Sequence, residues 1–300
     1  MKPLRIGTRR SSLALAQVEE VRRLLAPRGV EIDVVPMSTS GDEGVAAAGS
    51  PQGLKGLWID TILDALENGE IDLAVHSAKD LPAAEDDDFV IAAVPERADP
   101  FDVLVTREAT LPAGARIGTS SIRRRAQLLA SDPTLTIVEL RGNVDTRMRK
   151  LAEGEVDAAV LAAAGLARLG IEADHRRVLG LEEMVPAPGQ GCLALQTRSD
   201  DEATIAALVP LDHRASHVAL DAERSVAWRL GGGCDLPLGV FATIEADGRV
   251  AMIAIVASPD GARVVRVAVD GEDAEATASR AAKELIADGA QEILAELEDA

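Results

Sequence analysis

The sequence predicts an α/β fold: two similar α/β units facing each other across a cleft and joined by a hinge, followed by a small α+β unit. Three observations predict it. Strand-like runs alternate with amphipathic helical stretches through the first two-thirds of the chain, the pattern of βαβ units with mostly parallel sheets. Two phrases recur in the same order: Arg5-Ile6-Gly7-Thr8 returns as Arg116-Ile117-Gly118-Thr119, and Gly69-Glu70-Ile71-Asp72-Leu73-Ala74-Val75 as Gly154-Glu155-Val156-Asp157-Ala158-Ala159-Val160. Beyond Asp212 the pattern changes to strands grouped ahead of helices, which marks an α+β unit.

Taken in order, 4–7 reads as a strand, 12–25 as a helix, 30–36 as a strand, 57–67 as a helix and 71–75 as a strand. The second copy reads as strand 116–118, helix 121–130, strand 136–140, helix 144–152 and strand 156–161, with a further helix ending at Arg168. The run 191–197 is strand-like and crosses back into the first unit. A helix over 213–230 is broken by Gly231-Gly232-Gly233. Strands at 239–244, 249–256 and 263–269 follow, then helices over 272–288 and to Leu297. The expected domains are 1–95 with 192–210, then 96–191, then 211–300.

The 300 residues, 47% of them hydrophobic, suffice for two or three packed domains. No run approaches the roughly 20 apolar residues of a membrane helix, and the N-terminal residues enter charged, strand-like sequence without a signal peptide. The expectation is a cytoplasmic protein without a membrane partner. The two cysteines, Cys192 and Cys234, form no CxxC, so neither a disulfide framework nor a zinc site is predicted. His213 and His217 lie four apart on a helix without further ligands in sequence, so no metal is expected. A net charge of −19 and the absence of tyrosine speak against nucleic-acid binding.

The arginines carry the functional signal. Lysine supplies only five of the 31 basic residues, and arginine presents a rigid fork suited to carboxylates and phosphates. Arg9-Arg10 and Arg123-Arg124-Arg125 each follow a strand and a Gly-Thr turn, beside serines that read as helix N-caps. Cations are unfavourable at a helix N-terminus, so clusters there point to a bound anion. Arg141 and Arg147 flank a third junction. No phosphate loop or nucleophile elbow accompanies them, so the ligand is expected to carry several carboxylates or phosphates.

Three further features stand out. Val75-His76-Ser77-Ala78-Lys79-Asp80-Leu81-Pro82 follows a strand, placing Asp80 where parallel sheets bind ligands, beside a lysine that favours its charged form. The Ser-, Gly- and Ala-rich segment 38–54 reads as a lid leading to Lys55 and Trp58. Cys234 follows three glycines and is expected to be accessible, whereas Cys192 lies in an apolar run and is expected in the core.

These residues resemble the porphobilinogen deaminase (hydroxymethylbilane synthase) family through Ile6-Gly7-Thr8-Arg9, Val75 to Pro82, and Gly118-Thr119-Ser120-Ser121-Ile122-Arg123-Arg124. Further matches are Leu140-Arg141-Gly142-Asn143-Val144-Asp145-Thr146-Arg147, Ala164 to Gly170, Pro188-Gly189-Gln190-Gly191 and Gly232-Gly233-Cys234. The resemblance implies three domains, the first two built like a hinged periplasmic binding protein. It implies a monomeric transferase of tetrapyrrole (heme) biosynthesis that condenses four porphobilinogens on a dipyrromethane cofactor, releases four ammonia, and hydrolyses off hydroxymethylbilane. The cofactor would be held by a thioether to Cys234, with Asp80 stabilising the azafulvenium cation and moving protons. Lys79, Thr119, Ser121, Arg123, Arg124 and Arg147 would hold the cofactor's acetate and propionate groups. Arg9, Ser11, Arg141, Arg147, Arg168 and Gln190 would serve the substrate and growing chain, with Lys55 and Trp58 on the lid. The alternative is a non-catalytic solute-binding or sensor protein for a polycarboxylate, which leaves Asp80 and the cysteine loop without a purpose.

Overall fold

A computed structural model describes residues 2–37, 53–84, 86–232 and 236–298, with the backbone alone over 53–58 and at 298. The first lobe is built from β1 (Leu4–Arg9), α1 (Ser12–Leu25), β2 (Ile32–Met37), α2 (Gly53–Glu67), β3 (Leu73–Ser77) and β4 (Phe89–Ala93). The chain then crosses to the second lobe through β5 (Asp102–Thr106), β6 (Arg116–Gly118), α3 (Ile122–Ser131), β7 (Thr136–Val138), α4 (Val144–Ala152), β8 (Ala158–Ala162), α5 (Ala163–Arg168) and β9 (Arg176–Leu179). It returns through β10 (Leu193–Arg198) and α6 (Glu202–Leu208). The C-terminal unit comprises α7 (Arg214–Arg229), β11 (Leu238–Ile244), β12 (Val250–Ala257), β13 (Val264–Gly271), α8 (Ala274–Ala287) and α9 (Ala290–Glu298).

The repeat in the sequence is a repeat of topology. The first sheet runs β2-β1-β3-β10-β4 and the second β7-β6-β8-β5-β9. In each, the fourth strand is the one that has just arrived from the other lobe, and it lies antiparallel to both neighbours. The sheets are therefore mixed rather than mostly parallel: a strand entering from the opposite lobe runs against the βαβ strands it joins. Register repeats as well. Ile6 pairs with Leu73 as Ile117 pairs with Ala158, and the Arg5 guanidinium and backbone N–H grip Asp72 as those of Arg116 grip Asp157.

Helix α1 forms because Ser11 accepts from the Ala14 N–H at its start, while Ala14, Val18, Val21 and Leu25 make one buried face. Val18, Val21 and Leu25 cover Leu73 and Val75 of β3. Ala74 packs on the opposite side with Ile62, Ala65 and Leu66 of α2. Burial on both faces explains why β3 is a continuous apolar run. Helix α2 starts at Gly53, earlier than its apolar spacing suggests.

The two crossing segments run side by side, with the Ala98 N–H donating to the Gly191 carbonyl. Gly191 has φ +91°, and a Cβ there would come within 2.5 Å of the Ala98 oxygen, so no larger residue fits. Glu223 of α7, fully buried, ties both segments to the C-terminal unit. Its carboxylate accepts from Arg97 Nη1 (2.6 Å), the Gly189 N–H (2.6 Å) and the Ala242 N–H of β11 (2.8 Å). One face of the antiparallel sheet β11-β12-β13 is covered by α7, α8 and α9. Its far end reaches the second lobe through Arg125 Nε on Pro259 O and Arg266 Nη2 on Leu181 O. No helix among the described residues is long and apolar enough to cross a membrane.

Candidate active site

The cleft between the lobes is built from strand ends. Ser77 closes β3, and the next residues, Ala78–Asp80, make a 3₁₀ turn that presents Lys79 and Asp80. The turn is fixed by the returning chain, because the Ala78 N–H donates to the Cys192 carbonyl. Across the gap, β6 leads through Thr119 to Ser121, whose side chain caps α3, and β8 leads into α5.

One cavity between the lobes brings together Lys79, Arg124, Arg147 and Arg168, with Gln17 and Ser77 beside them and Leu13, Val144 and Leu161 as apolar wall. No carboxylate is among its described lining residues. The cations press on one another. Burial pushes Lys79 down to about 8, with the Arg124 charge adding to the effect and Asp80 opposing it. Burial and Arg124 likewise push Arg147 down to about 10, again against Asp80. Asp80 thus lies within electrostatic reach of both cations. A cavity in this condition favours an anionic guest.

Arg123 and Arg124 lie inside the first turn of α3, where the helix dipole disfavours them, and both are buried. The resolution is Asp102, at the start of β5 and wholly buried. It accepts from Arg123 Nη1 at 2.8 Å, from Arg124 Nε and Nη2 at 3.0 and 2.7 Å, and from Gln190 Nε2 at 3.1 Å. Burial alone would raise the Asp102 carboxyl, but the two guanidiniums outweigh it and hold it well below the usual carboxylate range. The Gln190 side chain also donates to Pro100 O, and its Oε1 faces Lys79 Nζ at 3.5 Å. Gln190 therefore joins Lys79 to the Asp102 cluster.

The remaining predicted residues are placed as follows. Arg147 donates to Gly142 O and Ser120 Oγ, and Arg168 to Glu20 and Gly191 O. Arg141 is exposed and paired with Glu139. Arg9 ends β1 and Ser11 caps α1, outside the residues that line the cavity. Thr119 Oγ1 accepts from the Ser121 N–H. Cys192 is 1% exposed and borders the cavity, and burial pushes its thiol up to about 12. Cys234 and most of the lid segment lie outside the described residues, and of Lys55 and Trp58 only the helical backbone is described. His213 and His217 face Ser216 and Asp212.

Asp102 and Glu223 escaped the sequence reading, yet each left a signal. Asp102 is a lone charge at the head of the apolar run Val103-Leu104-Val105. Glu223 falls on the buried face of α7 marked by Ala219, Ala222 and Val226.

Fold and site together define a two-lobed α/β protein with a cationic interlobe cleft, braced by a third unit. Residues 4–206 match the family model described as porphobilinogen deaminase, dipyromethane cofactor binding domain, and residues 218–287 match the porphobilinogen deaminase C-terminal domain. Among curated relatives, the porphobilinogen deaminase of Brevibacillus brevis is 43% identical over 299 residues, spanning 98% of this chain and 97% of that protein. That of Roseiflexus sp. is 47% identical over 267 residues, spanning 87% and 88%. Among solved structures, the probable amino-acid ABC transporter extracellular-binding protein ytmK of Bacillus subtilis aligns at 10% identity and TM-score 0.42, covering 76% of this chain and 97% of that one. The chain belongs to the porphobilinogen deaminase family. It is a transferase of tetrapyrrole biosynthesis, with porphobilinogen as the family's substrate and a dipyrromethane cofactor.

Proposed function

We propose that the interlobe cleft carries out the family's condensation with Asp80 as its catalytic carboxylate. The observation that carries this is the charge pattern: Asp80 lies within electrostatic reach of Lys79 and Arg147, two of four cations around a cavity with no carboxylate among its described lining residues. The donor set fits the dipyrromethane: its acetate and propionate groups would match the forked guanidiniums, and apolar Leu13, Val144 and Leu161 would supply the wall for its rings. When bound, the dipyrromethane supplies the pyrrole carbon to which the first substrate is joined.

Lys79, Arg124 and Arg147 hold its carboxylates from the cavity, with Thr119 and Ser121 at the α3 N-terminus. Arg123 acts through Asp102, keeping the cluster rigid. Arg9, Ser11, Arg141 and Arg168 receive the carboxylates of substrate and growing chain, with Arg147 shared between the two sets. Gln190 positions Lys79 beside them, and Lys55 and Trp58 belong to the covering lid. Asp80 offsets the positive charge left on the substrate ring when its C–N bond breaks and ammonia leaves. It then accepts the proton that the attacked ring carbon sheds as the new C–C bond forms. His76, buried beneath and pushed down to about 4, stays neutral and does not compete for that role.

Cys234, in the Gly232-Gly233-Cys234 motif that resembles the family's, is the attachment thiol; Cys192 is buried and its thiol is pushed up to about 12, which makes it a poor nucleophile. The reading extends to a cytoplasmic monomer without nucleic-acid or membrane partners, in keeping with a net charge of −19. The denatured mass of the purified protein should exceed the bare chain by two linked pyrroles. Cys234→Ala should abolish that excess together with ammonia release from porphobilinogen, and Cys192→Ala should keep both. An adduct that survives the first change and vanishes in the second would move the attachment to Cys192.

A further inference from the structure

Arg168 ends α5 in the second lobe and lines the same cavity as Lys79, Arg124 and Arg147. Its Nε donates to Glu20 Oε2 at 2.8 Å and its Nη2 to Gly191 O at 3.1 Å. Glu20 belongs to α1 of the first lobe, so this ion pair spans the cleft. The helices meet at the same place, where a Cβ on Gly165 of α5 would lie 3.9 Å from Leu13 Cδ2 of α1. The two partners differ in hydration: 9% of the Arg168 side chain is exposed against 33% of Glu20. The guanidinium is fixed and nearly dry, while the carboxylate keeps a path to water.

A carboxylate entering the cavity therefore meets an arginine whose fork already holds another carboxylate. Exchanging one for the other never leaves Arg168 buried and unpaired, which is the costly state for such a group. What the exchange requires is the release of Glu20 to solvent, and its partial exposure makes that cheap. We infer that Glu20 is a placeholder carboxylate: it occupies Arg168 and clips α1 to α5 until a carboxylate of the substrate or growing chain displaces it and frees the lobes to part. A ligand that binds the displaced arrangement better shifts the lobes toward opening in proportion to that difference. The inference rests on the proposed reading of Arg168 as a carboxylate receptor, and it makes Glu20 a positioning residue rather than a catalytic one.

The test uses the cofactor-loaded enzyme. Removing the competitor in Glu20→Gln or Glu20→Ala should lower the KM for porphobilinogen roughly two- to fivefold, the span expected for a partly exposed ion pair, with kcat nearly unchanged. A purely structural role, in which Glu20 only steadies Arg168, predicts the opposite sign, a raised KM. Spin labels at Leu15→Cys and Ala167→Cys, both exposed, read the clip directly. The α1–α5 distance should lengthen on adding porphobilinogen in the parent, and be long beforehand in Glu20→Gln. An unchanged or raised KM in both Glu20 variants, with Arg168→Leu still blocking elongation, overturns the placeholder. An Arg168→Leu enzyme that turns over and extends the chain normally overturns instead the reading on which it rests.

Discussion

The two lobes share strand order and register but differ at the strand each receives from the other. Leu193 of β10 pairs with Ser77, and Asp102 of β5 pairs with Ala162, so these two residues occupy equivalent places. The first lobe fills the place with a buried leucine, the second with a buried carboxylate. The second lobe's arginines follow Asp102 inward: Arg123 and Arg124 lie inside the first turn of α3, whereas Arg9 and Arg10 precede the cap of α1. Just past the matched strand ends the asymmetry reverses. The first lobe has Lys79 and Asp80 where the second has Ala164 and Gly165. One scaffold, used twice, thus places Asp80 and Lys79 on one side of the cleft and Arg124, Arg147 and Arg168 on the other.

The largest expected effect tests the buried cluster. Asp102→Leu makes the second lobe resemble the first but leaves two buried guanidiniums without their anion. Removing one partner of such a cluster costs about 3–5 kcal/mol, readable by denaturant unfolding. Adding Arg123→Met and Arg124→Met should recover most of that stability without recovering cofactor-loaded protein. A loss below about 1 kcal/mol in the single variant, the size of an exposed pair, would show that the cluster is not what holds α3 in place.

Asp80→Asn tests the other side of the asymmetry. It keeps shape and removes charge, so porphobilinogen should still bind while turnover falls by about 10²–10³, the usual loss for one electrostatic group acting in the transition state. An Asn variant within about tenfold of the parent would remove Asp80 from the chemistry.

The third test is a pH dependence. Burial pushes Lys79 to about 8 from an ordinary 10.5. Between those values the unfolded chain holds the proton and the folded one does not, so stability contributed through Lys79 rises with pH across that window. A bound carboxylate reverses the preference by favouring the charged form. Porphobilinogen capture by cofactor-free Cys234→Ala protein should therefore take up a proton and weaken as pH climbs above about 8. Calorimetry in buffers of different ionisation enthalpy measures the uptake, and Lys79→Arg should abolish it.

Much of the architecture was legible because it is local and periodic. Helix α1, the short strand β6 and α4 lie where their spacing places them, and the repeated phrases around Arg5 and Arg116 mark equivalent strands. What the sequence hid is non-local. β4, β5 and β9 are short and carry weak alternation, and their pairing depends on strands brought in from far along the chain. For the same reason the arginine clusters were visible while their electrostatics were not. Arg123 and Arg124 read as open receptors until Asp102, 21 and 22 residues earlier, is folded against them. Arg168 likewise hid its partner Glu20, 148 residues away in the other lobe.

The smallest effect sharpens the equivalence itself. Arg5–Asp72 and Arg116–Asp157 repeat one arrangement, in which a carboxylate accepts from the backbone N–H of the first strand of its sheet and from the same residue's guanidinium. Burial tends to raise the Asp72 carboxyl, but the hydrogen bonds from Arg5 prevail and leave it lowered, and those from Arg116 lower Asp157. Both arginines remain about two-fifths exposed, so solvent screens each pair and its worth is that of a surface bridge. Asp72→Ala and Asp157→Ala should each lower the melting temperature slightly, by amounts equal to one another and well below the fall for Asp102→Leu. Asp72→Asn and Asp157→Asn should cost less still, since the amide oxygen can go on accepting the backbone N–H. Both contributions should fade as pH falls through the carboxylate range, because a lowered native pKa stabilises fully above the unfolded value and is lost as pH drops through the native one. A clear inequality between the two alanine variants would mean that the repeat preserves the shape of the clamp without its energetics.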